Sequence, residues 1–576
     1  MLSDNRPVAQ ARVPCPGSVE KPFGPSTIPA SNCARTPSQP YCEAVSTRSR
    51  SSESRSNETR WSESRSNETR WSESQSSESR SGDPLKILVV GGVVSGLSTA
   101  LKLGRAGHRV TVIERDDTPM PDSPDEAFDW DRRGAPQVRH SHAFLARLRN
   151  LLATNEPDVL ARLLEAGATE MRFGDDLPDT ITNFEPQPGD DELVMLACRR
   201  TTFEWVLRRA ALDEGNVSFR VGVGVNGLIA NHESRSTTLP RITGVTLEDG
   251  STESGDLVVV AGGRRSQLPD WLTAIGIGPV PEEVEDTGIV YASRFYRLKP
   301  GQSYPPRTGP IGGDLGYVKY GIFVGDNDTF SVTLATPTDD DELRQRLTDP
   351  VIFDEAARNL VATAPWMDGR AEPITAGVHV MAGLLNRFRQ YVVDGKPLAL
   401  GLLPVGDAVI CTNPLYGRGC SIGYWGAHLM NDAILTHAGD LSESALLTLA
   451  LEYDAAMRRE ILPWYLSGVQ QDAEARRVAK AHLEGVDPDG DSSDPRTFAR
   501  SVLREGLLPA LRSDAVVLRA FFRNLNLLNE PDALLKDSEV SNRVLMIWQD
   551  RDNRPPETPL GPKKRADFLA TLPVAG

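Results

Sequence analysis

The segment from residue 85 to residue 114 constrains the fold of this chain more than any other. An apolar, largely β-branched run is followed by a glycine-containing turn, an amphipathic helical pattern, a second β-branched run and an acid. These pieces are Ile87–Val90, Gly91–Gly96, Leu97–Gly107, Arg109–Ile113 and Glu114. A continuous apolar run predicts a parallel strand buried on both faces, and apolar residues every three to four positions predict a helix. The order of the pieces predicts a βαβ unit of the Rossmann type.

A unit of this type can bind the pyrophosphate of an adenine dinucleotide. The helix N-terminus presents unpaired N–H groups and a positive dipole end, and glycines let the backbone approach the phosphates closely. Glu114 follows the turn at about the 20-residue spacing from which a carboxylate accepts a hydrogen bond from a ribose 2′-hydroxyl. Val93 replaces the middle glycine of the G-x-G-x-x-G pattern, so the alternative is a degenerate turn that no longer binds. The candidate residues of this segment are Gly91, Gly92, Val93, Ser95, Gly96, Glu114 and Arg115.

Composition excludes several other classes of protein. The chain has 576 residues and a formal net charge of −16, which argues against nucleic acid as a partner because phosphate backbones bind positive surfaces. No apolar run reaches the roughly 18 residues of a membrane span, and the N-terminus lacks a signal-peptide core. Six cysteines without a C-x-x-C pair and eight histidines without ligand spacing predict neither a disulfide framework nor a metal site. We expect a cytoplasmic location.

The sequence predicts five regions. A ten-residue repeat near the N-terminus is too polar to offset the entropy of ordering, so we expect disorder there, with an interaction tail or a dispensable extension as the alternatives. Period-two alternation after residue 280 predicts an antiparallel sheet with one covered face. The regions are a disordered tail (1–83), the first part of the dinucleotide domain with a helical insertion (84–279), a substrate-side β-sheet domain (280–385), the second part of the dinucleotide domain (386–440) and a C-terminal helical region (441–576).

Three separated motifs together resemble a known family. The glycine turn at 91–96, the turn AGGRRS at 261–266 and the GDA turn at 406–408 resemble motifs of the single-component FAD-dependent monooxygenases of the aromatic-hydroxylase superfamily. Within it, the chain is most similar to phenol-hydroxylase-like enzymes and polyether epoxidases. The segments that carry the resemblance are RRGAPQVRHSHAFL (132–145), CRRTTFEWVLR (198–208), DLVVVAGGRRSQLPDWL (256–272) and GDAVICTNPLYGRGCS (406–421).

The resemblance implies a fold, a cofactor and a reaction. The fold is α/β: a Rossmann-like FAD-binding domain with an inserted antiparallel-sheet substrate domain and a helical C-terminal region. The activity is that of an FAD-dependent monooxygenase of secondary metabolism, which hydroxylates or epoxidises a largely apolar small molecule with dioxygen and NAD(P)H. The sequence has no second glycine fingerprint, so the nicotinamide is expected to bind transiently. The alternatives are a flavin-dependent reductase or dehydrogenase of the isoprenoid-reductase type and a non-catalytic flavoprotein.

The resemblance also assigns residues to the flavin. In such enzymes the carboxylate at the Asp407 position accepts hydrogen bonds from the ribityl chain, although a turn or helix-capping role is the alternative. The helix that follows points its N-terminus at the pyrimidine side of the flavin, where its dipole favours negative charge on the reduced ring. The candidate cofactor-binding residues outside the first motif are Arg139, Arg200, Gly406, Asp407, Pro414, Gly417, Gly419 and Cys420.

Five positions leave alternatives open. Val260 and Gly262 stand where the family has an aspartate and a threonine, so the reductant is the least constrained part of the resemblance. Cys420 lies at a helix start, a position that can lower a thiol pKa, but the sequence favours the alternative of a buried structural cysteine. His140 and His142 are candidates for acid or base roles, with packing or a phosphate hydrogen bond as the alternative. No catalytic residue is assigned.

Overall fold

The computed structural model describes residues 83–574, except for residues 176, 183, 232–238, 307–310, 491–492 and 555–558. The predicted tail, residues 1–83, therefore lies outside the described residues apart from Asp83. Among the described residues, no helix combines the length and the apolar character needed to cross a bilayer.

A five-stranded parallel sheet, the nucleotide sheet, organises the first half of the fold. Its strands are, in spatial order, Leu402–Pro404, Leu257–Val260, Lys86–Val90, Arg109–Glu114 and Val217–Val221. Each neighbouring pair is parallel. Because the carboxyl ends of parallel strands lie at one edge of a sheet, the glycine turn, Glu114, the AGGRRS turn and the GDA turn all meet at the same edge.

Both faces of the nucleotide sheet are covered, as the unbroken apolar strands require. Ile87 and Val89 share a core cluster with Trp425, which lies in the glycine-rich helix Gly419–His437. Leu88 and Val90 share another cluster with Val245. The elements on the two faces are the helices Val94–Arg105, Arg200–Leu212 and Gly419–His437, and the antiparallel strands Val225–Asn231, Arg241–Leu247 and Thr252–Ser254.

The prediction of one strand over 217–225 is wrong. The strand of the nucleotide sheet ends at Val221, and a strand of a different, antiparallel sheet begins at Val225. Gly222 lies between them with φ +78°, a left-handed conformation that breaks an extended chain at no steric cost to glycine. The turn redirects the chain from the edge of the nucleotide sheet onto its face.

An antiparallel sheet, the substrate-side sheet, forms the second half of the fold. Its strands are Gly312–Asp314, Lys319–Val324, Thr329–Pro337, Ile289–Leu298, Ala371–Pro373 and His379–Met381. Phe330, Val332 and Leu334 share a core cluster with Phe353 of helix Pro350–Arg358 and with Phe568 of helix Arg565–Thr571. One face of this sheet is therefore closed by helices, the last of which comes from the C-terminal end of the chain.

The remaining elements connect and extend these two sheets. Strand Glu282–Asp286 lies at the start of the region predicted for the substrate-side domain, and it pairs with Leu385–Arg389, which pairs with Ile410–Cys411. Two short antiparallel pairs are Thr169–Arg172 with Val194–Ala197 and Val392–Val393 with Lys396–Pro397. The other helices are Ala146–Asn155, Pro157–Glu165, Leu268–Ala274, Asp341–Arg346, Glu443–Glu460, Leu462–Glu484, Pro495–Val502, the π-helical Leu503–Leu507, Leu508–Ser513, Ala515–Leu525, Ala533–Lys536 and Ser538–Gln549. The expected α/β fold class, with a parallel core sheet, an antiparallel sheet and C-terminal helices, is confirmed.

A buried ion pair fastens the substrate-side sheet to the nucleotide half. Asp326 lies in the hairpin turn between strands Lys319–Val324 and Thr329–Pro337, and its side chain is buried. Its carboxylate accepts hydrogen bonds from Arg199 N at 2.6 Å, from Arg199 Nη2 at 2.6 Å and from Thr202 Oγ1 at 2.8 Å. Arg199 immediately precedes helix Arg200–Leu212, so the hairpin is bound to the start of the helix that carries Arg200.

Candidate cofactor site

The glycine turn has a conformation that other residues would not tolerate. Gly91 has φ +106°, and a Cβ atom on it would lie 2.6 Å from the carbonyl oxygen of Ala261. A Cβ atom on Gly96 would lie 1.9 Å from the carbonyl oxygen of Gly91. Val93 caps the helix with φ −111°, an extended conformation that β-branched residues adopt readily, and Leu97 N donates to its carbonyl at 2.8 Å. The N–H groups of Val94, Ser95 and Gly96, in the first turn of the helix, stay outside the helical ladder and are available to a phosphate.

Glu114 lies directly beside this turn. The carboxylate is buried, and it accepts hydrogen bonds from Gly92 N at 2.8 Å and from Asp116 N at 3.0 Å. Arg132 Nη2 lies 3.7 Å from its Oε2 atom and 3.4 Å from the carbonyl oxygen of Gly92. The acid predicted for the adenosine ribose is therefore placed at the turn, and a buried arginine that the sequence analysis did not single out is placed with it.

A chain of buried charges continues from Arg132 towards the glycine-rich helix. The Arg132 guanidinium forms an ion pair with Glu204, whose second oxygen accepts a hydrogen bond from Arg200 Nη2 at 3.4 Å. Arg200 Nη1 in turn donates to the sulfur of Cys420. The Arg200 Nε atom and the Arg208 Nη1 atom are buried without a hydrogen-bond partner among the described residues. Such orphaned cationic donors at the edge of the sheet fit an anionic ligand such as a pyrophosphate.

The GDA turn, helix Val94–Arg105 and the glycine-rich helix Gly419–His437 meet at Ser95. The Ser95 hydroxyl donates to the carbonyl of Gly423 at 3.1 Å, and a Cβ atom on Gly406 would lie 2.6 Å from the same hydroxyl oxygen. Asp407 follows Gly406 at the carboxyl end of strand Leu402–Pro404. Burial raises the pKa of Asp407 to about 6, against the opposing effect of the nearby Arg200 guanidinium. The Asp407 carboxylate therefore lies close enough to Arg200 for the two charges to interact.

The start of the glycine-rich helix borders open space. Gly417 ends the NPLYG turn (Asn413–Gly417) with φ +66°, which favours glycine. A Cβ atom on Gly419 would meet no described heavy atom within 4 Å, although Arg418 and Cys420 on either side are buried. Burial raises the pKa of the Cys420 thiol, so its environment favours the protonated form and not a reactive thiolate.

The two histidines lie between the nucleotide half and the substrate-side sheet. Burial lowers the pKa of His140 to about 3, and burial together with the Arg200 charge lowers that of His142 to about 3. The His140 ring contacts Tyr291 edge-on, with its Nδ1 atom 3.4 Å from Ser293 Oγ. Both imidazoles are therefore neutral near pH 7, and they offer hydrogen bonds to a ligand without adding charge.

Among the described residues, no hydrogen bond or ion pair joins Arg115 or Arg139 to the glycine turn. The Arg115 side chain is exposed. Arg139 is half-buried and donates to the carbonyl of Asp129 at 3.3 Å. Burial, together with the Arg139 charge, lowers the pKa of His379 in the substrate-side sheet. The cofactor roles of both arginines stay predictions, whereas Arg132 occupies the position beside the turn. Arg132 begins the same RRGAPQVRHSHAFL segment as Arg139, and the sequence alone did not distinguish them.

Comparisons with known proteins bear on the fold. A family model for the pyridine nucleotide-disulphide oxidoreductases matches residues 86–130, which contain the glycine turn. Protein Rv3254 of Mycobacterium tuberculosis strain H37Rv is 26% identical over 516 residues, which span 83% of this chain and 98% of that protein.

Solved structures give a more specific likeness. The p-nitrophenol 4-monooxygenase PnpA from Pseudomonas putida superposes with a TM-score of 0.53 at 18% identity, over 78% of this chain and 98% of that one. The flavin-dependent brominase Bmp2 gives a TM-score of 0.50 at 14% identity, over 81% of this chain and 98% of that one. The chain has the fold of the flavin-dependent monooxygenases. The resemblance inferred from the sequence motifs is thus confirmed at the level of the fold.

Proposed function

We propose that this chain is an FAD-dependent monooxygenase that oxidises a largely apolar small molecule with dioxygen and NAD(P)H. The observation that carries the proposal is the convergence, at one edge of the nucleotide sheet, of the glycine turn with Glu114, the half-buried Asp407 and the open space at Gly419. These three places suit the adenosine, the ribityl chain and the flavin ring of one FAD molecule.

The residues of the chain would hold FAD and exclude water. Glu114 would accept from the ribose, the first amides of helix Val94–Arg105 and Arg200 would meet the pyrophosphate, and Asp407 would accept from the ribityl hydroxyls. When bound, FAD supplies the redox chemistry, including the activation of dioxygen after its reduction. The N-terminus of the glycine-rich helix would favour the reduced, negatively charged ring through its dipole.

The substrate would bind between the NPLYG turn and the substrate-side sheet. Leu415 of the turn packs on an apolar cluster that consists of Ile289, Tyr291, Ala335, Met381 and Leu384. This apolar cluster would contact an apolar substrate, and the neutral His140 beside Tyr291 would offer a hydrogen bond to a substrate hydroxyl or carbonyl. Substrate binding there would also exclude water from the flavin ring.

Turnover with a panel of small apolar metabolites tests the proposal and separates its rivals. The FAD-loaded protein is incubated with NADPH and ¹⁸O₂, and the products are analysed by mass spectrometry. A monooxygenase gives products that carry one ¹⁸O atom. A reductase of the isoprenoid type gives products that gain hydrogen without the label, and a non-catalytic flavoprotein does not oxidise NADPH faster than free FAD does. Either of these last two results would contradict the monooxygenase assignment.

Replacing Glu114 by alanine should weaken FAD binding by about 1.5–3 kcal/mol, the usual contribution of a hydrogen bond to a charged group, or about 10- to 150-fold in Kd. The expected loss of affinity has two sources. One is the missing hydrogen bond to the ribose, and the other is a disturbed glycine turn, because Glu114 also accepts from Gly92 N and lies near the buried Arg132. Isothermal titration of the FAD-free protein measures Kd. Glu114→Gln keeps an acceptor for Gly92 N and separates the sources, and an unchanged Kd in both variants would exclude Glu114 from the site.

FAD affinity should fall as the pH drops below about 6. The raised pKa of Asp407, about 6, means that its carboxylate is ionised at pH 7.5 and mostly protonated at pH 5.5 in the FAD-free protein. The ionised form accepts from the ribityl hydroxyls, so Kd at pH 5.5 should be about fourfold higher than at pH 7.5. His140 and His142 have pKa values of about 3 and do not titrate in this window. Fluorescence titrations should show a flat profile for Asp407→Asn, and the same pH dependence in that variant would refute the assignment.

A further inference from the structure

A single carboxylate of the C-terminal helical region binds the NPLYG turn through hydrogen bonds. Asp472 lies in helix Leu462–Glu484 and is buried. Its Oδ1 atom accepts hydrogen bonds from Asn413 Nδ2 at 2.7 Å and from the Tyr416 hydroxyl at 2.7 Å. Its Oδ2 atom accepts from Asn386 Nδ2 at 2.6 Å. Asp472 therefore contacts both ends of the Asn413–Tyr416 segment and the strand beside it.

The three side chains around Asp472 form a closed hydrogen-bond network. Asn386 Oδ1 accepts from the backbone N–H of Asn413 at 2.7 Å, and Asn413 Oδ1 accepts from Leu415 N at 2.9 Å. Each amide group is thus oriented by the carboxylate, because an amide that donates to Asp472 must present its oxygen elsewhere. The network fixes the backbone of the turn through Asn413 N and Leu415 N as well as through side chains.

A buried carboxylate at position 472 costs more free energy than a residue that only filled space would. Among the described residues no ion pair joins Asp472 to a cation: its three hydrogen-bond donors are neutral, and Arg418 attracts it only from a longer distance. Burial of a charge without an opposite charge in direct contact is unfavourable, and an apolar side chain of similar volume would pack at lower cost. What a carboxylate adds is directional bonding, since it specifies one arrangement of its three donors.

The residues after the turn are tied to the same helix. The Arg418 guanidinium lies 5.0 Å from the ring centroids of both Tyr416 and Trp464, and Trp464 belongs to helix Leu462–Glu484. Arg418 is the residue that precedes the first turn of the glycine-rich helix. Helix Leu462–Glu484 therefore sets both the turn and the starting point of the glycine-rich helix, at the place where Gly419 borders open space.

We propose that Asp472 is a positioning residue for the flavin: by fixing the NPLYG turn, it aligns the N-terminus of the glycine-rich helix with the flavin ring. The inference rests on the proposed function for the identity of the group that is positioned. Asp472 would act through the turn, since its hydrogen bonds go to Asn386, Asn413 and Tyr416.

Asp472→Asn tests the proposal without a large change in volume. The new amide would present N–H groups to the amide of Asn386, which must turn over and then cannot accept from Asn413 N. Misalignment of the helix N-terminus should lower the flavin midpoint potential, because the reduced ring loses stabilisation. Loss of the negative charge by itself would raise that potential, so the sign of the shift separates the two effects. We expect the ratio of affinities for reduced and oxidised FAD to fall about tenfold, which corresponds to about 30 mV for a two-electron couple.

Two controls accompany this variant. Glu474→Gln neutralises a carboxylate on the same helix that pairs with Arg477 at 2.8 Å, and it should leave the potential unchanged. Tyr416→Phe removes one hydrogen bond to Asp472 without changing charge and keeps the ring against Arg418, so it should lower the potential by a smaller amount. It also keeps the test available if Asp472→Asn does not fold.

Amide hydrogen exchange of residues 411–420 in the FAD-free proteins supplies a readout that does not depend on the flavin. We expect faster exchange in Asp472→Asn and Tyr416→Phe than in the wild type and Glu474→Gln. Faster exchange with an unchanged or raised potential would overturn the positioning role, and unchanged exchange would overturn the network itself. Absence of FAD binding by the wild-type chain would instead contradict the proposed function, whatever the exchange data show.

Discussion

Replacing Gly419 by valine should empty the protein of FAD without unfolding it. A Cβ atom at this position meets no described atom within 4 Å, so the fold has room for a side chain there. In the proposed complex the flavin ring occupies this space, and a β-branched side chain would displace the ring from the helix N-terminus. We expect the FAD affinity to fall by more than about 100-fold, which corresponds to about 2.7 kcal/mol. Any flavin that remains should have a lowered midpoint potential, because the dipole no longer stabilises its reduced form.

Gly439→Val is the matched control for this substitution. Gly439 lies just beyond the other end of the glycine-rich helix, and a Cβ atom there also meets no described atom within 4 Å. This variant should bind FAD as the wild type does. Equilibrium dialysis gives the affinities, and thermal unfolding of the FAD-free proteins should give equal melting temperatures for both variants. Wild-type FAD affinity in the Gly419→Val protein would show that the flavin ring does not bind beside this helix.

Replacing Asp326 by alanine should destabilise the protein by about 3–5 kcal/mol, the usual cost of removing one partner from a buried ion pair. Arg199 would lose the acceptor of its guanidinium and of its backbone N–H, both at 2.6 Å, and would stay buried. Its contact with the half-exposed Asp125 at 2.9 Å offsets only part of that loss. Because whole proteins are stable by about 5–15 kcal/mol, the loss is a large part of the total.

Urea denaturation of the FAD-free protein measures this effect. Asp131→Ala is the control, since its ion pair with Arg133 is mostly exposed and should contribute less than about 1 kcal/mol. Asp326→Asn, which keeps an acceptor for Arg199 N but loses the charge, should lie between the two. Equal midpoints for Asp326→Ala and Asp131→Ala would show that the hairpin is not held by this pair.

The parts of the site that the sequence predicted are those with local signals. The run Ile87–Val90, the glycines after it and Glu114 follow one another in the chain, and each has a distinct physical requirement: burial on two faces, a left-handed turn or a carboxylate at the strand end. The GDA turn was found through its resemblance to a motif of the flavin-dependent monooxygenases, which is also a local signal. The convergence of these motifs follows from strand order, because parallel strands share one carboxyl edge.

The parts that the sequence did not predict depend on contacts between distant segments. Asp326 and Asp472 are single acids without a motif. The partners of Asp326 described above lie 124 and 127 positions away, and those of Asp472 lie 56 to 86 positions away. Arg132 and Arg139 share one short segment, and only the fold shows which of them reaches Glu114. Strand Glu282–Asp286 has only one apolar residue, Val284, so the sequence carries no alternating pattern there that would indicate the strand or its partner.

Titration of the FAD-free protein with FAD and with FMN is the most direct test of the central claim. If adenosine binds at Glu114 and the flavin ring at Gly419, the binding energy is shared between the two ends of the dinucleotide. We therefore expect one FAD per chain, with quenching of flavin fluorescence, and much weaker binding of FMN, which lacks the adenosine. No binding of FAD, or equal affinities for FAD and FMN, would contradict it.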